Sequence, residues 1–230
     1  MDPRLRSALL WVPYVVVAVV HVIALVVDRG SAGPTKLLLM PLLTLPVIGA
    51  CAVVDRRVTT LLFAALASSW VGDSAGELVS GGGELPLMLA FFAAAHIAYI
   101  VLFTRRIAVR SLPRWTVVYG IWWIAMVAAV GPHAGALVVA VAAYGLVLAG
   151  TAATAGRCAP LVAVGGACFL TSDSLLAFRL FLPDAAPGWF GPAVMATYTV
   201  GQGLIVAGTL RAAGSAPIRE RTDDSQRAAS

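Results

Sequence analysis

The sequence predicts an all-α polytopic membrane protein: a bundle of eight transmembrane helices with both termini cytoplasmic. Three observations carry that expectation. The 230-residue chain is 60% hydrophobic and 12% charged, with a mean hydropathy of +0.91, whereas a soluble domain carries about 25% charge. Its apolar residues form long, nearly uncharged runs, unlike the period-two alternation of a transmembrane barrel. Its basic residues are also strongly biased toward one set of the connections between those runs.

The runs follow in order. The first, 8–27, lies after Arg4 and Arg6 and ends at Asp28-Arg29. It is about 20 residues long and lacks a small-x-small cleavage site, so it reads as a helix and not as a signal peptide. The second, 36–54, closes on Asp55-Arg56-Arg57, and the third, 58–79, stops before Gly81-Gly82-Gly83. The fourth, 85–103, ends at Arg105-Arg106. Only Gly131-Pro132-His133 separates the fifth, 114–131, from the sixth, 134–153. The seventh, 159–182, starts after Gly156-Arg157, and the eighth, 189–210, follows Pro183-Asp184. Each can cross a hydrocarbon core of about 30 Å at about 1.5 Å per residue. Residues 1–210 thus form one transmembrane domain, and the polar, mixed-charge segment 211–230 is expected to be a disordered cytoplasmic tail.

Eight spans place both ends on one side, together with thirteen of the sixteen basic residues: Arg4, Arg6, Arg56, Arg57, Arg105, Arg106, Arg110, Arg114, Arg157, Arg211, Arg219, Arg221 and Arg227. Arg29 and Lys36 fall on the other side, and Arg179 lies within a span. By the positive-inside rule the Arg-rich side is cytoplasmic. Short basic loops without interleaved aromatics point to lipid headgroups and exclude nucleic acid as a partner. Arg-rich, nearly Lys-free usage suggests a bacterial plasma membrane. Cys51, Cys158 and Cys168 form no CxxC pair and read as buried, inert thiols.

Three carboxylates, Asp73, Glu77 and Asp173, lie inside the apolar runs. Each costs roughly 2.5–3.5 kcal/mol on insertion scales, so each marks a functional candidate. Ser69, Asp73 and Glu77 recur at helical spacing along one face, as do Phe92, His96 and Tyr99, Ser172 and Arg179, and Tyr198 and Gln202. Gly72, beside Asp73, allows a neighbouring helix to come close. Asp73, His96 and Asp173 all fall roughly 9–17 Å from the non-cytoplasmic edge at the rise of an α-helix. Three helices can therefore converge on one pocket. Plainer roles stand beside these. Glu77 can be interfacial, the hydroxyls can bond their own helix, and Arg179 can pair with Asp173 or snorkel outward. His21 fits a core histidine, and His133 is a loop residue.

Several blocks resemble the YhhN/TMEM86 family. They are Leu62-Phe63 through Gly72-Asp73 with Phe91-Phe92, Ala95-His96 and Tyr99; Phe169-Leu170-x-Ser172-Asp173-Ser174-Leu175-Leu176-Ala177 with Arg179 and Phe181; and Tyr198-x-x-x-Gln202-x-Leu204-Ile205. Lys36 with Met40-Pro41-Leu42-Leu43 also fits, although Leu37 stands where the family has a proline. The resemblance covers about 36–210. It implies eight helices and lysoplasmalogenase activity, with a lysophospholipid substrate (lysoplasmenylcholine or lysoplasmenylethanolamine) cleaved to a fatty aldehyde and a glycerophospho-base.

Vinyl ether hydrolysis needs a general acid to protonate the β-carbon, a carboxylate to stabilise the oxocarbenium ion, and a base for water. The parallel with glycoside hydrolysis is one of chemistry only. Asp73 and Asp173 are the expected acid and carboxylate, with His96 orienting or activating water. Tyr99, Ser172, Tyr198, Gln202 and Glu77 are expected to meet the substrate, and Arg179 or Lys36 its phosphate. No cofactor is called for. No metal site is evident, because His96 lacks a second histidine at helical spacing.

A proton-coupled transporter is the main alternative, since intramembrane acids and a histidine suit a proton relay, but inverted repeats and paired broken helices are not seen. A retinal protein is excluded by chemistry: Lys36 is the sole lysine, leaving no late helix able to form a Schiff base. Thr171-Ser172-Asp173 lacks the Gly-x-Ser pattern of a serine nucleophile.

Overall fold

The computed structural model describes residues 3–27, 33–78 and 83–214, with side chains from residue 5 onward. Asp28-Arg29, most of the Gly81-Gly82-Gly83 turn and residues 215–230 lie outside them. The elements are α1 (Pro3–Leu9), α2 (Val12–Val27), α3 (Gly33–Ala50), α4 (Arg56–Leu78), α5 (Glu84–Arg105), α6 (Val117–Val130), α7 (Val138–Ala155), α8 (Pro160–Phe181) and α9 (Phe190–Gly214). No strand occurs among the described residues.

Local chemistry explains the boundaries. Pro13 cannot donate to Leu9 O, and the helix breaks between α1 and α2. Asp55 caps α4, its Oδ1 accepting from Arg57 N at 2.6 Å. Pro41, inside α3, leaves the carbonyl of Leu37 without its helical donor, and the indole of Trp70 on α4 donates to it at 2.9 Å. Between α6 and α7 two short 3-10 turns surround Gly135, whose φ of +53° suits glycine. Pro160 opens α8 at a position where no N–H is needed. α9 continues to Gly214, past the expected boundary at 210, because Arg211-Ala212-Ala213 are good helix formers.

Among the described residues, seven stretches are long and apolar enough to cross a membrane: Leu5–Val27, Gly33–Ala50, Glu84–Arg105, Arg114–His133, Gly135–Ala155, Pro160–Phe181 and Phe190–Gly214. α4 has the length, 23 residues, but its polar stripe lowers its apolarity. The chain is therefore an all-helical integral membrane protein.

Helices α2, α3, α4, α5, α7, α8 and α9 pack as neighbours in a closed circuit, α9 returning to α2, and α6 lies against α7 and α8. Arg56, Arg57, Arg105, Arg106, Arg110, Arg114 and Arg157 fall at the end of the α3–α4, α5–α6 and α7–α8 connections. There two loops clasp each other: Val109 N donates to Arg157 O at 2.9 Å, and the Arg110 guanidinium donates to Gly156 O and Cys158 O at 3.0 and 2.9 Å. The three cysteines are free; Cys158 is buried, Cys168 half-buried and Cys51 exposed. The expectation of three buried thiols is corrected for Cys51, which follows the end of α3 where the chain leaves the packed bundle.

α8 and α9 touch backbone to backbone. A Cβ on Gly165 would lie 2.9 Å from Gly201 O, and one on Gly201 2.9 Å from Phe169 N. Small residues allow this approach. Gly201→Val should lower stability by about 1–3 kcal/mol through forced separation of these helices. Gly120→Val should be nearly neutral, since nothing lies within 4 Å of its Cβ position. Thermal unfolding of both variants in detergent measures the difference.

Candidate active site

α4 carries its polar residues on one face, as its spacing predicts. Ser69 is fully buried and Asp73 is 4% exposed. Glycines beside Asp73 bring α5 close: a Cβ on Gly72 would lie 2.8 Å from the Phe92 ring, and one on Gly76 3.0 Å from the Met88 sulfur. Asp73 Oδ2 accepts the Tyr198 hydroxyl at 2.8 Å, and Lys36 Nζ stands 4.0 Å from Oδ1. Lys36 is held more closely by Glu77, at 3.2 Å.

Behind Tyr198 the hydrogen bonds continue. The Gln202 amide donates to the Tyr198 oxygen at 3.5 Å and to Ser69 Oγ at 3.1 Å, while its Oε1 accepts the Tyr99 hydroxyl at 2.5 Å. One buried chain thus links α5, α9 and α4 to Asp73.

On α8 the four consecutive polar residues separate as their spacing requires. Thr171 and Ser174 bond back to Ala167 O and Leu170 O, and Ser172 Oγ donates to Val194 O at 2.9 Å. Asp173 accepts the hydroxyl of Tyr144 on α7 through Oδ2, and His96 Nε2 lies 3.8 Å from the same oxygen. An aromatic layer lies beside the two carboxylates. In it Phe169 packs edge-on against His96 (centroids 4.5 Å apart) and Tyr198 (5.3 Å), and Phe92 against Tyr198 (6.1 Å).

Above this layer is a cavity of about 770 Å³ to which all eight long helices contribute. That volume falls within the roughly 300–1,000 Å³ of small-molecule sites. α4 and α8 present their C-terminal halves to it and α5, α7 and α9 their N-terminal halves, so it occupies the end opposite the arginine-rich loops. Lys36, Asp73, Glu77, Ser172, Asp173, Arg179 and Tyr198 line it. The remaining wall is largely apolar, including Leu25, Met88, Phe92, Met126, Val127 and Leu148.

Several residues singled out from the sequence stand away from the cavity surface or meet other partners. His96, Tyr99 and Gln202 are fully buried behind the wall, because the aromatic layer and the two tyrosines fill the space between them and the cavity. His96 is not among the residues that line the cavity. Arg179 does not pair with Asp173; it sits about two turns further along α8, exposed on the wall beside Gly191. His21 is buried, as expected of a core histidine; it bonds Thr35 Oγ1 through Nδ1 at 2.8 Å and also lines the cavity. Tyr144 and Trp122, on α7 and α6, were not singled out at all. Tyr144 is the lone polar side chain in the run 138–148, the one signal that marks it.

No curated protein and no solved structure matches the chain. The sequence model of the YhhN family matches residues 32–209, and the chain belongs to that family.

Proposed function

We propose that this chain is a membrane-embedded lysoplasmalogenase, hydrolysing the vinyl ether of lysoplasmenylcholine or lysoplasmenylethanolamine. The observation that carries the reading is a pair of carboxylates, Asp73 and Asp173, on different helices facing one largely apolar cavity. The family's association with hydrolase activity of this kind supports it. No covalent nucleophile is required, and the one serine on the wall has its hydroxyl donated to Val194 O.

One carboxylic acid delivers a proton to the β-carbon of the vinyl ether, leaving an oxocarbenium ion that the other carboxylate stabilises. Water attacks the α-carbon, the one bonded to the ether oxygen, and gives its proton to the carboxylate. The hemiacetal then loses its hydroxyl proton as the glycerol oxygen gains one, releasing aldehyde and alcohol. The alkenyl chain lies among Leu25, Met126, Val127 and Leu148.

Two cations line the cavity and differ in what they already hold. Lys36 is engaged by Glu77 and Asp73, whereas Arg179 makes no ion pair among the described residues. Arg179 is thus assigned to the phosphate, and Lys36 to holding Asp73. All eight long helices, α4 included, are read as spans, with both termini cytoplasmic and the cavity in the outer half of a bacterial plasma membrane.

Purified protein should release long-chain aldehyde from lysoplasmalogen, and Asp73→Asn and Asp173→Asn should each lower kcat at least about 100-fold. Wild type without aldehyde release across pH and lipid conditions would overturn the assignment; proton flux in proteoliposomes without lipid turnover would favour a carrier. Arg179→Gln should raise KM for the phospholipid about tenfold or more with kcat kept, and should leave turnover of a phosphate-free alkenylglycerol unchanged. Lys36→Met should act on kcat. Steady-state kinetics on the two substrates separates these effects.

A further inference from the structure

The two carboxylates are held in matching ways. Each accepts a tyrosine hydroxyl on Oδ2, Asp73 from Tyr198 and Asp173 from Tyr144. Each tyrosine oxygen is in turn met by a side-chain nitrogen, from Gln202 at 3.5 Å and from His96 at 3.3 Å. In both arms the tyrosine lines the cavity and its nitrogen partner is buried behind it. Tyr144 lines the cavity, and His96 is sealed behind it with no exposed surface.

With Asp173 as the carboxylate of the pair, the hydrogen bonds place the proton on His96. Tyr144 has one proton and gives it to Asp173, so its oxygen can only accept from the imidazole. His96 must then carry its proton on Nε2. The other tautomer would point two lone pairs at each other and leave an N–H on Nδ1. Nδ1 is buried and has no hydrogen-bond partner, so that N–H would be unmet in a dry site. A directed chain results, from His96 Nε2–H to Tyr144 to Asp173. Its parts are clamped: His96 by Phe169 at 4.5 Å, and the α7 backbone beside Tyr144 by Trp123, whose indole donates to Ala142 O at 2.9 Å.

Resting on the lysoplasmalogenase reading, we propose that Tyr144 is a positioning residue that orients Asp173 toward the substrate, and that His96 acts on the reaction only through Tyr144. With Oδ2 held, Oδ1 is the oxygen of Asp173 left for substrate or water. It makes no hydrogen bond among the described residues, and the side chain keeps 11% exposure on the cavity wall. The histidine read from sequence as a direct participant becomes a support, and a tyrosine on another helix takes the place next to the chemistry.

Kinetics and histidine NMR test this together. Tyr144→Phe should lower kcat about tenfold to a hundredfold, the loss of a hydrogen bond to a charged group, with KM within about twofold. His96→Gln should lower kcat less, and the double variant should be no slower than Tyr144→Phe alone. Wild-type kcat in Tyr144→Phe, or losses that multiply in the double variant, would overturn the proposal. The chain has three histidines, His21, His96 and His133, so the ¹⁵N signal of His96 can be assigned by its loss in His96→Gln. It should report a protonated Nε2 that shifts in Tyr144→Phe while His21 and His133 stay in place. An Nδ1-protonated His96, or a resonance indifferent to Tyr144, would also sink it. Should Tyr144→Phe not fold, 3-fluorotyrosine at position 144 takes its place in both measurements. Wild type that turns over no vinyl ether would fail the hydrolase reading, while the nitrogen signal would still decide the Tyr144–His96 link.

Discussion

An ionisable group inside a hydrocarbon slab has no water to solvate it, so the protein itself must supply every partner. Much of one half of this bundle answers that demand for Asp73 and Asp173. Asp73 draws on Lys36 from α3 and Tyr198 from α9; Asp173 draws on Tyr144 from α7, with His96 from α5 close by. Two acids thereby tie together six helices, α3 to α5 and α7 to α9. The cavity lies where those partners leave room.

Close approach makes the partnerships possible. Gly72 lets the Phe92 ring come close to α4 one residue from Asp73, and Gly165 with Gly201 lets α8 and α9 meet at their backbones. The second contact places Tyr198 and Gln202 of α9 at the depth of Asp73. The carbonyl that Pro41 frees is taken by Trp70, so the proline also pins α3 to α4, and with it Lys36 to the acidic face. Each feature turns a local irregularity into a tertiary restraint.

Much of the site was legible in the amino-acid order, and for a physical reason. A carboxylate in an apolar run is costly wherever the run packs, so Asp73, Glu77 and Asp173 stand out one residue at a time. Helical spacing then groups Ser69, Asp73 and Glu77 on one face and pairs Tyr198 with Gln202. Tyr144 was not legible, because a single tyrosine among alanines and valines is ordinary in a membrane helix until its hydroxyl is seen on Asp173. His96, Tyr99 and Gln202 were visible as polar residues but not as buried ones. Spacing says which residues share a face, not whether that face meets a cavity or another helix.

The amino-acid order alone was enough for the all-helical membrane class, the position of each long helix, the one-sided distribution of arginines and the identity of the acids that line the cavity. These rest on transfer cost and charge, properties that each residue carries independently of its neighbours in space. Only the tertiary structure decided how far each helix turns about its own axis. That rotation is set by where glycines and rings from distant segments meet, and it separates Arg179 from Asp173, seals His96 behind the wall and brings Tyr144 to the carboxylate.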